Sequence, residues 1–399
     1  MSSERLFLAV ALDGAGFHPA AWREATARPT ELTSPRYWAD LAGVADRALI
    51  DFLTIEDSFG LPQATEERRQ GLALGQLEAV LTATYLGPRT RYVGLVPTAS
   101  TTHPEPFHIA SGISTLDYVS RGRGGWRPQV SGRPEEAAHV GRRTFPAIDP
   151  RRQDDPVVQQ VVAGLFEEAS DAVEVVRRLW DSWEDDAIIK DTATGRFIDR
   201  DKLHPIDFEG RYFSVKGPSI VPRPPQGQPL VVSLAHSAVP FRFAASSADV
   251  VCVTPADPAD AVRWVADVRE AERAVARRTA EPLKIFADLV VFLEDDAAQA
   301  RARVDRLDGW AGRPYRSDAA VFVGTPVELV DLLEAFAAQG IEGFRLRPGA
   351  LPHDLDRIAD DVVGELRRRG RFPTEPVPGL LRERLGFPRP ASRYAAQPA

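Results

Sequence analysis

The chain has 399 residues, 44% hydrophobic and 27% charged, and Asp plus Glu (57) exceed Lys plus Arg (49) by 8. That length holds two ordinary domains or one large barrel, and the composition excludes a largely disordered chain. The acidic balance weighs against nucleic-acid binding, which needs a basic stripe to neutralise phosphates.

The basic residues are nearly all arginine; the lysines are Lys190, Lys202, Lys216 and Lys284. Cys252 is the single cysteine, which excludes an intrachain disulfide and a cysteine-cluster zinc site. Met1-Ser2-Ser3-Glu4-Arg5 leads straight into an apolar run, without the cationic and long apolar regions of a secretory leader. No stretch approaches the uninterrupted apolar length of a membrane span. The expectation is a soluble, cytoplasmic protein with no membrane partner.

Short apolar runs alternate with amphipathic stretches along the chain. Leu6–Leu12 reads as a strand buried on both faces, and Pro35–Leu49 as a helix with Trp38, Leu41, Ala42, Ala45 and Leu49 at helical spacing. Asp51–Asp57 reads as strand, Leu77–Leu86 as helix, Tyr92–Val96 as strand and Pro106–Leu116 as helix. A fourth strand is expected near Gly124–Ser131, followed by one long helix over Asp155–Trp183. Pro229–Ala235 and Val250–Val253 read as strands, with helices at Phe241–Ala248 and Ala259–Arg278. Leu283–Leu293 is a β-rich run, and Ala297–Leu307 and Val327–Ala338 are helices, the second opened by Thr325 as N-cap and Pro326 at N1. Phe344–Leu346 is the last strand and Leu355–Arg369 the last helix.

Eight strand–helix units in series predict an α/β fold of the (β/α)8 TIM-barrel type. A doubly wound open sheet is the rival. The barrel is favoured because no Gly-x-Gly-x-x-Gly follows the first strand and the series keeps its period to the end. Residues 1–372 are therefore read as one barrel domain, with long insertions near 121–154 and 185–228. The Pro-rich tail 373–399 is expected to lie extended or draped on the surface.

Barrel strands present functional side chains at their C-terminal ends. Asp57 ends the second strand, where it acts either on a ligand or as a turn-forming carboxylate. Thr98, Ser100, Thr101 and Thr102 follow the third strand and offer short hydroxyls to a polar ligand. Gly124-Gly125-Trp126 combines close backbone approach with a flat apolar face. Ser237 closes the fifth strand at a helix N-cap, a position for capping or for an anion such as phosphate. His18, just after the first strand, is the candidate to face a substrate. No histidine pair has helical metal-ligand spacing, so no metal site is expected.

Taken as an ordered set, several stretches resemble the bacterial-luciferase-like flavin-dependent monooxygenases, in the nitrilotriacetate, EDTA and sulfone monooxygenase branch. They are Phe17–Arg23, Phe52–Ser58, Pro97–Pro106 with Ser114–Arg123, Leu179–Ala187 and His204–Gly217. The resemblance implies a luciferase-like (β/α)8 barrel that takes reduced FMN from a separate flavin reductase, uses O2, and oxygenates a small molecule. It implies pairing through the second and third helices, as a homodimer or homotetramer. It places Asp57 and Thr98 near the flavin ring and ribityl chain, and Ser237 at the phosphate.

The chain departs from that pattern at several positions. Arg127 stands for a flavin-contacting Asn, Pro128 follows it inside a strand, His139-Val140-Gly141 stands for Asn-Phe-Gly, and Phe166 for a Tyr. Pro240 falls at N3 of the helix that Ser237 caps and removes one backbone N–H from the anion nest. Arg127, His139 and His236 are the residues that would restore positive charge there. Two alternatives accompany the monooxygenase reading: an F420-dependent oxidoreductase of the same fold, and a non-catalytic luciferase-like subunit without flavin.

Overall fold

The buried apolar runs pair with one another in chain order. The computed structural model describes residues 5–61, 71–73, 75–146, 155–277 and 281–395. Among these, β1 (Phe7–Leu12), β2 (Phe52–Ile55), β3 (Gly94–Ser100), β4 (Gly125–Gln129), β5 (Leu230–Leu234), β6 (Val250–Val253), β7 (Lys284–Leu293) and β8 (Gly343–Pro348) form eight consecutive parallel pairings, with β8 closing on β1. The expected (β/α)8 barrel is the observed fold. The expectations for Met1–Glu4, 147–154, Arg278 and 396–399 fall outside the described residues.

The helices α1 (Pro35–Arg47), α2 (Ala79–Leu86), α3 (Pro106–Val119), α4 (Pro156–Asp181), α5 (Ala238–Ser247), α6 (Pro258–Ala274), α7 (Pro326–Ala337) and α8 (353–368) surround the strands. Local signals set their ends. The Ser34 side chain accepts from the Arg36 N–H at the start of α1, and Pro35 occupies the first turn, where no N–H is needed. The helix stops short of Leu49, whose φ of 63° is left-handed. At α7, Thr325 and Glu328 form both halves of a capping box.

Side chains alternate across each strand, so one set faces the lumen and the other packs on the helices. The lumen-facing set is layered. Its floor is Ala9, Phe52, Val96, Leu230, Val250 and Phe286, one contiguous apolar cluster. Two residues further along the strands, the same face carries Thr54, Thr98, Arg127, Cys252, Asp288 and Arg345. Two further still come Asp13, Glu56, Ser100, Gln129 and Arg347 at the C-terminal mouth.

The tail differs from the sequence expectation. Leu381–Arg384 forms a short helix, and Leu381, Leu385 and Phe387 join the apolar floor cluster, each 2% exposed or less. The segment stoppers the N-terminal end of the barrel instead of draping on the surface. Gly94 makes room for it, since a Cβ there would stand 2.7 Å from the Leu381 side chain. Sealing this end follows from burial, worth about 1.5–3 kcal/mol per large apolar side chain.

The second insertion contains two hairpins, Ile188–Asp191 with Arg196–Ile198 and Phe208–Glu209 with Ser214–Val215. A further parallel strand, Ala320–Gly324, adds to the outer end of β7. Pro128 is tolerated in β4 because pairing with β5 ends at Trp126. The Gln129 carbonyl is turned toward β3, where it accepts from the Thr101 N–H. Alternation turns position 128 the other way, past the end of the β5 ladder, so no bond is lost.

Candidate active site

Two adjoining clefts open at the C-terminal mouth, of about 380 Å³ and 490 Å³. They share Ser58, Phe59 and Gln76 from the loop after β2. The smaller is walled by Asp57, Ser100, Gln129, Ser131 and the buried Glu136. The larger runs from Asp13–Pro19, after β1, across to His139. Together they match the size of a cofactor-and-substrate site. The first insertion contributes Gln129, Ser131, Glu136 and His139 to these walls. The second contributes to a separate 220 Å³ cavity, where Tyr212 and Phe213 face Thr101–Pro106, Arg142 and Arg143.

Below the clefts the lumen is filled by paired charges. Arg345 donates to Thr54 Oγ1 at 2.9 Å, to Asp288 Oδ2 at 2.6 Å and to Glu56. Arg127 donates to Thr98 Oγ1 at 2.9 Å and to the other oxygen of Glu56. Arg347 donates to Asp288 and, at 2.7 Å, to Asp318 on the rim. Three guanidinium groups thus meet two carboxylates inside the lumen, where an unmatched charge is costly, and a third, Asp318, on the half-exposed rim. Asp13 stands at the top of this array without a hydrogen bond or ion pair among the described residues. Burial, and then the nearby Glu56, push its carboxyl up to about 7, against the lowering pull of Arg127, Arg345 and Arg347.

The sequence candidates separate into three places. His18, Asp57 and His139 meet in the clefts. The His18 ring is 1% exposed; its Nδ1 accepts from the Ala20 N–H at 3.1 Å, so Nε2 carries the proton and donates to Asp308 at 3.1 Å. Burial lowers its pKa. A neutral imidazole with both nitrogens engaged shapes the wall and leaves no nitrogen free for a substrate proton. The Asp57 carboxylate accepts from the Ser58 and Ala79 N–H groups at 2.7 and 2.9 Å, and from Gln76 at 2.9 Å. It ties the loop after β2 to the first turn of α2, which is the turn-forming role, and it also lines the smaller cleft. His139 is exposed on the short helix Pro134–Val140.

Thr98 and Arg127 lie in the lumen, outside both cleft walls; Arg127 donates to Thr98 and to Glu56. Arg127 therefore belongs to the charge array, in place of the anion-holding role the sequence suggested. His236 and Ser237 lie at the C-terminal end of β5, both exposed. The His236 ring is 3.3 Å from Thr254 Oγ1. Ser237 is the N-cap of α5, as expected, yet its side chain makes no capping bond. Its hydroxyl remains open to an anion beside the positive end of the helix.

Sequence reading passed over Asp13, Glu56, Asp288, Arg345 and Arg347. The signal was present: Phe344-Arg345-Leu346-Arg347 alternates charge with period two inside a buried strand, and Asp288 interrupts the apolar β7 run. Charges at one face of a central strand require partners across the barrel.

Residues 15–328 match the Luciferase-like monooxygenase family. N-acetyl-S-(2-succino)cysteine monooxygenase of Bacillus subtilis is 28% identical, with 98% of this chain and 99% of that protein covered. Nitrilotriacetate monooxygenase component A of Aminobacter aminovorans is 27% identical over 95% of this chain and 96% of its own length. The crystal structure of DmoA from Hyphomicrobium sulfonivorans superposes with a TM-score of 0.80 at 25% identity, covering 96% of this chain and 92% of that one. With the closed parallel barrel, the polar C-terminal mouth and a match that takes in most of the chain, this protein belongs to the luciferase-like monooxygenase family.

Proposed function

We propose that the protein is the oxygenating component of a two-component system, taking reduced FMN from a separate flavin reductase and O2 to oxygenate a small organic molecule. The observation that carries this is the mouth itself. A cleft system large enough for a flavin ring adjoins a barrel end where the N-terminus of α5 and the unspent Ser237 hydroxyl face outward. The donor set fits FMN: an anion-ready helix start for the phosphate and Ser100, Gln129 and Ser131 for the polar edge of the ring. Bound reduced FMN would supply the electrons that activate O2. The chain's own groups bind, orient and keep water from the reacting centre.

The relatives' names as monooxygenases support oxygen chemistry over F420-dependent hydride transfer, and "component A" supports a reductase partner. Pairing through α2 and α3, as a homodimer or homotetramer, belongs to the same reading, and the exposed Leu81 (71%) and Tyr118 (43%) on those helices support it. Among the described residues no helix is long and apolar enough to cross a membrane, which is compatible with a cytoplasmic site of action.

The test is an anaerobic titration of purified protein with reduced FMN, with reduced F420 in parallel, each followed by O2. Saturable binding of reduced FMN and an altered rate of its oxidation support the assignment. Binding of F420 alone moves it to hydride transfer. Binding of neither leaves the non-catalytic subunit.

A further inference from the structure

The lumen array is charge-matched without Asp13. Glu56 bridges Arg127 and Arg345, Asp288 bridges Arg345 and Arg347, and Asp318 pairs with Arg347. Asp13 is a fourth carboxyl added to three paired ones. It directly follows β1 on the lumen side, two positions beyond Ala11, and lines the 490 Å³ cleft. No hydrogen bond or ion pair reaches its side chain among the described residues, although donors crowd nearby.

We propose that Asp13 is an acid–base residue of this cleft, which stores one proton and passes it to the oxygen atom that the monooxygenase reaction releases as water. The inference rests on the monooxygenase reading. The balance is simple. One atom of O2 enters the substrate and the other leaves as water, with two electrons from the reduced flavin and two protons. Asp13 supplies one proton, breaking its O–H bond as the bond to the departing oxygen forms. The carboxylate left behind is then held by the field of Arg127, Arg345 and Arg347, and takes a new proton from solvent through the cleft.

Among the described residues, the charged groups that act on Asp13 come from three elements. Glu56 follows β2, Arg127 is on β4, Arg345 and Arg347 are on β8, and the Tyr315 ring approaches from the loop after Ala297–Ala311. His18 and His139 share the cleft wall. His18 is excluded from the same role because both its nitrogens are used. Glu56 is excluded because each of its oxygens receives a guanidinium.

The experiment separates this inference from the assignment beneath it. Infrared difference spectra of the flavin-free protein are recorded against pH for wild type, Asp13→Asn and Asp13→Glu. A protonated-carboxyl band that fades as pH rises through about 7, and is missing from Asp13→Asn, is expected. A band absent near neutrality, or unchanged in Asp13→Asn, overturns the proposal whatever the cofactor proves to be.

The same proteins are then mixed with reduced FMN and O2. Asp13→Asn is expected to bind reduced FMN as wild type does, to lose the neutral limb of the pH–rate profile and to oxidise it about 10²-fold more slowly; Asp13→Glu restores the limb. An unchanged profile in Asp13→Asn overturns the catalytic role. Failure of wild type to bind reduced FMN overturns the flavin assignment and the catalytic step with it, while the infrared titration still decides whether Asp13 holds the proton.

Discussion

The two ends of the barrel lumen are built on opposite principles. The N-terminal end is apolar and stoppered by Leu381, Leu385 and Phe387 from the chain's own tail. The C-terminal end is filled by three arginines and their carboxylates under an open cleft. The first is held by burial, which is non-directional and tolerant of shape. The second is held by matching, so it depends on every partner being present. The comparison teaches why function sits where it does. The matched end offers fixed charges beside an open cleft, and it gains them at the cost of sensitivity to single changes.

Breaking the matched end should have the largest effect. Asp288 is fully buried and serves both Arg345 and Arg347. Asp288→Ala leaves two guanidiniums without a shared counter-charge and is expected to destabilise by about 3–5 kcal/mol, read as the shift of the urea midpoint. Adding Arg345→Met to Asp288→Leu removes one charge of each sign. It should recover most of that loss, because a buried ion pair exchanged for apolar side chains of similar size is often neutral. A double variant no better than the single would mean that packing, not charge, sustains this layer.

The stoppered end should respond to size alone. Leu381→Ala opens a cavity against Gly94 and Phe52 and is expected to cost about 2–5 kcal/mol. The cost should be the same at low and high salt, since apolar burial involves no charge for ions to screen. A salt-dependent Leu381→Ala would show that the stopper acts through its buried neighbours Arg382 and Arg384.

The third test uses pH. The Asp13 carboxyl is raised from 3.8 to about 7, so between those values the folded protein holds a proton that the unfolded chain has lost. Stability therefore falls as pH rises through this window, with a slope of up to about 1.4 kcal/mol per pH unit from this group. Asp13→Asn should flatten that slope without altering the response to Leu381→Ala. A slope that persists in Asp13→Asn assigns it to another member of the array.

The same division decides how much was legible in the sequence. The apolar runs that build the strands read directly, because burial on both faces leaves a continuous hydrophobic signature. The stopper did not read, because Gly379-Leu380-Leu381 among prolines resembles any surface tail; what fixes it is the missing Cβ at Gly94, far away in the chain. The site was half legible. Asp57, His18 and Ser237 stand at strand ends, where a barrel places them by rule. The lumen array was not seen because Glu56, Asp288, Arg345 and Arg347 come from three strands spread over 292 positions, and only closure brings them together. Arg127 was assigned to an anion for the same reason, since its partner Glu56 is 71 residues away.

The smallest expected effect lies at the start of α5, where the Ser237 side chain makes no capping bond. Ala238, Val239 and Pro240 occupy the first three positions of α5, and the proline has no N–H to offer an anion. Pro240→Ala restores that donor at the N-terminal end of the helix dipole. A single added bond to a charged group is worth about 1.5–3 kcal/mol, so reduced FMN should bind about tenfold more tightly, at the lower end of that range. Riboflavin, which lacks the phosphate, is the control. Tighter FMN with unchanged riboflavin locates the phosphate at Ser237 and explains the proline as a device for loose, transient holding. An equal change for both ligands would mean that the buried Pro240 ring acts through the packing of α5, and the phosphate would then have to be sought elsewhere on the mouth.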